Sequence, residues 1–236
     1  MTTIFSCKTT KDVVYFNNQP EGEFAISNPL SQQPIVANDI LSISVSSLNP
    51  EASAVFNGAT NSAKTTTSYL VEKDGSIQFP VLGKIQTAGL TKAQLTDLIR
   101  NTLIEKKLLL DPIVTINYLN FRVTVLGEVS KPMVVPVPNE KISLLEALGM
   151  AGDLTIYARR DNVLLIREEN GKRLIKRINL NASDLFTSEY YYLKSNDIVY
   201  AEPNKTKVFS TSNTRQILPI IFSGISLLAL VVYRLR

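Results

Sequence analysis

The sequence predicts an α+β chain: two small mixed modules, each a sheet with one helix, followed by a single C-terminal transmembrane helix. Three observations predict it. Short apolar–polar alternations recur between Leu41 and Tyr200, the period of half-buried strands. Two helix-start boxes interrupt them, Thr91 with Gln94 and Ser143 with Glu146. The third is Ile217–Tyr233, ILPIIFSGISLLALVVY, roughly 17 residues without a charge between Arg215 and the pair Arg234 and Arg236. That length is the lower edge of what spans a hydrocarbon core of about 30 Å. The arginines are placed to snorkel and Tyr233 to sit at an interface.

The 236 residues, 44% hydrophobic, suffice for one large or two small domains and exclude disorder throughout. A formal charge of +4 with both signs interspersed gives no polyanion patch, so nucleic acid is not an expected partner. The chain has no His, no Trp and one Cys. Imidazole bases, His metal sites, thiol pairs and internal disulfides are thereby removed. No Gly-rich loop ending in Lys-Ser/Thr occurs, so no nucleotide chemistry is expected. Glu168 and Glu169 adjoin on a strand and point to opposite faces, whereas a glycosidase needs two converging carboxyls. No catalytic residue, metal site or cofactor is assigned, and the chain is read as a non-enzyme.

The elements follow in order. Residues 1–34 carry Ile4-Phe5-Ser6-Cys7, a small residue before the cysteine and an aliphatic one three before it, as at a lipidation site. Phe5 departs from that pattern and only Met1 to Thr3 precede it, so a free thiol is the other reading. Lys8 to Gln33, rich in Asn, Gln, Pro, Ser and Thr, reads as an extended tether. Leu41, Ile43 and Val45 alternate with serines as a strand that Asn49-Pro50 stops, and Asn57 to Ser68 reads as a loop. Tyr69 to Phe79 places two strand runs around Asp74-Gly75, a tight-hairpin dipeptide. Thr91 opens a helix carrying Leu95, Leu98, Ile99 and Leu103, with Asp111-Pro112 as its stop. Val114, Ile116 and Tyr118 close a module over 35–118.

Residues 119–203 begin with a strand at Phe121 to Leu126 and a turn from Gly127 to Pro132. A helix follows from Ser143 with Leu144, Leu145 and Leu148, then a hairpin at Asn170-Gly171 and a late strand Ile198-Val199-Tyr200. That succession is what a β-grasp module requires, a sheet with one helix across it. A linker over 204–216 leads to the helix over 217–233.

The ordered motifs carry a resemblance. The run Val71 to Ile116, with Asp74-Gly75, Phe79-Pro80, Leu82-Gly83, Gly89-Leu90-Thr91 and Pro112, resembles the export domain of bacterial outer-membrane polysaccharide export proteins, as does the opening Ile35-Val36-Ala37-Asn38-Asp39. Val125-Leu126-Gly127-Glu128-Val129, Lys131-Pro132, Ala151-Gly152-Asp153 and Asn196-Asp197-Ile198 resemble the soluble-ligand-binding β-grasp module that follows it. The resemblance spans residues 35 to 203. It implies an export domain over 35–118, a lipoprotein acylated at Cys7, a homo-oligomeric ring with periplasmic domains at the outer membrane, polysaccharide as cargo and an inner-membrane polysaccharide co-polymerase as partner. Better-known members carry a further β-grasp module and a more amphipathic last helix. A tethered periplasmic glycan- or partner-binding scaffold without a conduit is the alternative.

Candidate sites are few. Ser223, Gly224 and Ser226 form a weakly polar stripe, read as helix packing or as a lumen face. Tyr190, Tyr191 and Tyr192, with Arg173 and Lys176, are candidates for polysaccharide contact; core and surface packing of the tyrosines is the plainer reading. Arg167, Lys172 and Arg177 extend that basic run, which edge protection also explains.

Overall fold

A computed structural model describes residues 14–16, 21–24, 33–57, 67–169, 171–210 and 213–234. Cys7, most of the expected loop over 58–66 and Asn170 lie outside the described residues.

The first half is built on β1 (Ile40–Ser46), whose Leu41, Ile43 and Val45 are buried as the alternation predicts. It pairs antiparallel with β2 (Ser68–Leu70) and β5 (Ile113–Tyr118), giving the order β2-β1-β5. A short helix, α1 (Pro50–Ala54), follows β1, capped by Asn49. The Asp74-Gly75 hairpin is corrected: a tight turn forms there, but β3 (Ser76–Phe79) pairs with β4 (Gly83–Gln86), and β2 pairs with β1. The Asp74 carboxylate is spent locally, accepting from the Ser76 hydroxyl and Lys84 at 2.6 Å each. A good turn dipeptide selects the bend, whereas the buried partner selects the ladder.

The capping box at Thr91 and Gln94 is present and opens α2 (Lys92–Glu105), which buries Leu95, Ile99 and Leu103 against the sheet. Leu98 stays largely exposed. The helix ends well before Asp111-Pro112, because Lys107 turns into the left-handed region (φ +55°) and hands its following amides back to Leu103.

The second half is a five-stranded mixed sheet of order β7-β6-β10-β8-β9. Its strands are β6 (Arg122–Gly127), β7 (Met133–Pro136), β8 (Ala158–Glu169), β9 (Lys172–Ile178) and β10 (Ile198–Pro203). The late strand β10 enters the middle, parallel to β6 and antiparallel to β8. α3 (Leu144–Met150), opened by the reciprocal Ser143–Glu146 box, lays Leu144, Ala147 and Leu148 across the sheet. The β8–β9 hairpin turns where Asn170-Gly171 predicts, with Gly171 at φ +69°. Gly127 has no substitute: at φ +91°, an added Cβ would stand 2.1 Å from the Ala201 carbonyl.

The halves are fastened to one another. Tyr118 packs against both apolar clusters, and its backbone N–H donates to Glu140, which also pairs with Lys92 at the head of α2. The Asn120 side chain accepts from Ile40 and donates to the Asn38 carbonyl.

Three expectations for the ends are corrected. The supposed linker is mostly helical, as α4 (Lys205–Ser210) and the first turn of α5 (Asn213–Arg234). α5 forms over the predicted apolar stretch, but among the described residues no helix is long and apolar enough to cross a membrane. The physical reason is length: roughly 17 uncharged residues at 1.5 Å each reach about 26 Å, short of about 30 Å, and polar Asn213 to Gln216 make up the turn before them. Finally, the described parts of the N-terminal tether pack onto the second half, with Tyr15 against its apolar cluster.

Candidate functional site

The tyrosine run lies beside the start of α3, because Tyr192 bridges to Ser143 and the Tyr191 carbonyl accepts from Leu144. The three rings do not form one platform. Tyr191 turns to Phe186, with ring centroids 5.8 Å apart, and edges Tyr192 at 5.1 Å. Both Tyr190 and Tyr191 pack against the second apolar cluster. Tyr190 instead meets cations, with the Lys176 ammonium 5.2 Å and the Arg167 guanidinium 5.7 Å from its centroid. Tyr192 carries Lys141 at 5.1 Å. Each such contact is worth about 0.5–2 kcal/mol depending on desolvation.

Arg167 is corrected from a surface cation to a buried one. Its Nε donates to Asp197 Oδ1 at 2.9 Å and its Nη2 to Oδ2 at 2.7 Å, both groups being almost fully buried. Asp197 also accepts from the Lys194 amide. β8 alternates so that Arg167 faces inward with Leu165 and Val163, and a fork-to-fork pair is the one way to hold both charges there.

The remaining charges of the hairpin are laced across it. Arg173 pairs with Glu168 at 2.5 Å, Glu169 with Lys194 at 2.7 Å, and Arg177 with Glu202 at 3.1 Å. The Lys194 ammonium holds the Glu169 carboxyl below its usual range. This is an ion-paired edge strand, and Lys176 on it is set over Tyr190.

An open groove of about 690 Å³ lies between the β7 end, at the opposite edge of the sheet, and α3, lined by Pro136, Pro138, Lys141, Ile142, Glu146 and Met150 among others. Lys141 lines the groove and also lies over Tyr192, and from there pairwise contacts lead through the buried Arg167 to Tyr190 and Lys176. Apolar walls with a few polar groups and aromatic rings suit the C–H faces and hydroxyls of a sugar. Sequence reading missed Lys141 and the groove, since Pro136 and Met150 meet only through the fold. Among the described residues no group of three metal-ligating side chains gathers.

The stripe on α5 is helical and exposed. Ser226 Oγ donates back to the Phe222 carbonyl at 2.9 Å, and a Cβ at Gly224 would touch nothing. Ile221, Phe222, Ile225, Leu227, Leu228 and Leu230 are also more than half exposed in a single chain.

Comparison with known proteins gives two family matches in succession: "Polysaccharide biosynthesis/export protein" over residues 27–119 and "SLBB domain" over 122–176. Two relatives are each named EPS I polysaccharide export outer membrane protein EpsA. The one from Ralstonia solanacearum is 31% identical over 147 residues, 61% of this chain and 38% of the relative. The one from Ralstonia nicotianae is 30% identical over 153 residues, 63% and 39%. The chain thus matches about two-fifths of the length of these relatives.

Proposed function

From the premise that the chain belongs to the polysaccharide biosynthesis/export protein family, we propose that it is an outer-membrane component of a capsular or exopolysaccharide export translocon, with its domains in the periplasm. The observation that carries the reading is the ordered pair of matches, an export domain followed directly by an SLBB domain. We divide the chain into an export domain over 35–118 and a β-grasp domain over 119–203. The component is non-enzymatic, so the work of moving polymer comes from synthesis or from an inner-membrane co-polymerase.

In this reading Cys7 is acylated and copies assemble into a ring around the polymer. α5 is the natural association element, because six exposed Ile, Phe and Leu side chains would leave water when copies pack side by side. Ser223, Gly224 and Ser226 then allow close helix approach. The face from Lys141 to Lys176 is where a sugar chain would touch the β-grasp domain.

The test is export itself together with assembly. Cells lacking the protein are expected to lose surface polysaccharide and accumulate it behind the outer membrane, and the full-length protein in mild detergent is expected to form closed rings. Undiminished surface polymer sinks the proposal. A second reading, a membrane-tethered glycan-binding scaffold, draws on the groove and on the finding that, among the described residues, no helix is long and apolar enough to cross a membrane. Monomers that bind glycan and never close into rings would favour it.

A further inference from the structure

We infer that the second module carries a docking site for an aromatic arm, filled by the chain's own Tyr15, Phe16 and Phe24, which holds the arm against the corner where α4 begins. The receiving element is the Ala151-Gly152-Asp153 turn, which the export reading leaves without a task. Gly152 (φ +76°) and Asp153 (φ +70°) fold it back on the preceding loop, where Ser130 donates to the Asp153 carbonyl at 2.9 Å and Lys131 to that of Ala151 at 2.8 Å. That leaves the Asp153 carboxylate outward, accepting the Leu154 amide at 2.6 Å and the Tyr15 hydroxyl. Burial, with this bond to a carboxylate, pushes the Tyr15 phenol well above its ordinary value.

Arg160 gives the site its energetic reason. It is 5% exposed, and among the described residues its Nη1 and Nη2 reach the carbonyls of Thr155 (3.3 Å) and Leu154 (3.5 Å) while its Nε has no hydrogen-bond partner. A guanidinium so placed lacks compensation, and the Tyr15 ring, 5.0 Å from its carbon, supplies a negative aromatic face. Phe186 is the second anchor, with Phe16 at 5.5 Å and Phe24 at 5.6 Å. Phe16 sits at φ +61°, a conformation that costs an aromatic residue energy and that the two flanking contacts hold in place.

The same loop grips the other end of the chain. Thr155 donates to Glu128, which pairs with Lys207 at 3.4 Å; Lys207 also lies 5.1 Å over Tyr157, whose carbonyl accepts from Asn204. Residues 153–160 therefore touch both the arm and the root of α4. A group attached at Cys7, eight residues ahead of Tyr15, would stay within about 30 Å of this contact. In this inference the contact sets which pole of the module such a group would hold toward a lipid surface, independently of what cargo the protein moves.

The test uses the full-length chain in a Cys7→Ser background with spin labels at Glu23→Cys and Thr206→Cys, both exposed positions. A narrow distance distribution is expected, widening roughly twofold in Tyr15→Ala and further with Phe186→Ala added. Tyr15→Ala lies on the arm, so a retained thermal transition confirms that the modules stay folded. An equally narrow distribution after both substitutions, or a broad one in the chain without them, overturns the inference. So does a narrow distance that vanishes on dilution into unlabelled protein, which would place the arm on a neighbouring copy.

Discussion

The two modules bury different things. Around β1 the interior polar groups are short and satisfied close to home: Asp39 accepts from Val36, Thr87 donates to the Gly75 carbonyl, Ser53 to that of Pro50. Around β8 the interior holds Arg160, Arg167, Asn162 and Asp197 as well as aliphatic side chains. A core of aliphatics loses stability in proportion to the volume removed. A core containing a paired charge fails abruptly when one partner goes, because the survivor stays buried. The second module is therefore the one that single charge changes can disable, and it is also the one carrying the groove and the arm site.

That contrast orders the expected effects. Asp197→Ala strands Arg167 and is expected to cost about 3–5 kcal/mol by chemical denaturation, while Arg167→Met with Asp197→Leu costs far less. Similar losses for the single and double variants would remove the distinction between the modules. Ile99→Ala in the first core is expected to cost about 2–4 kcal/mol, with no single partner whose replacement restores it. Ser143→Ala, which breaks a reciprocal cap, should cost about 1 kcal/mol and raise hydrogen exchange at the start of α3. Arg173→Ala, in an exposed pair, is expected to change stability by no more than about 0.5 kcal/mol.

The smallest effect is one of pH. Burial raises the Asp39 carboxyl above its ordinary 3.8, with the Val36 amide opposing. A raised folded value means its contribution is full below about 3.8 and is lost as pH rises through the folded value. Asp39→Asn should flatten that fall in denaturation curves taken between pH 3 and 7; an unchanged slope would show that Asp39 does not titrate with folding.

The sheet-and-helix plan was legible because it rests on short-range rules. β1 announces itself by alternation and α2 and α3 by capping boxes, whose partners are three residues apart. The candidate site was legible only as residue types. Tyr190 and Lys176 were visible as an aromatic and a cation, but their contact needs β9 folded over β8. Arg167 read as solvated because nothing local marks an arginine as inward; the pairing of β10 decides it.

By itself the sequence determined the strand β1, the capped helices α2 and α3, their order and the turn at Gly171, since each depends on contacts within a few residues. Only the tertiary structure decided that β3 pairs forward with β4, that Arg167 meets Asp197 across 30 positions, and that Tyr15 reaches Asp153 across 138. Such contacts are chosen by which surfaces remain unburied after the local elements form, and that is a property of the whole chain.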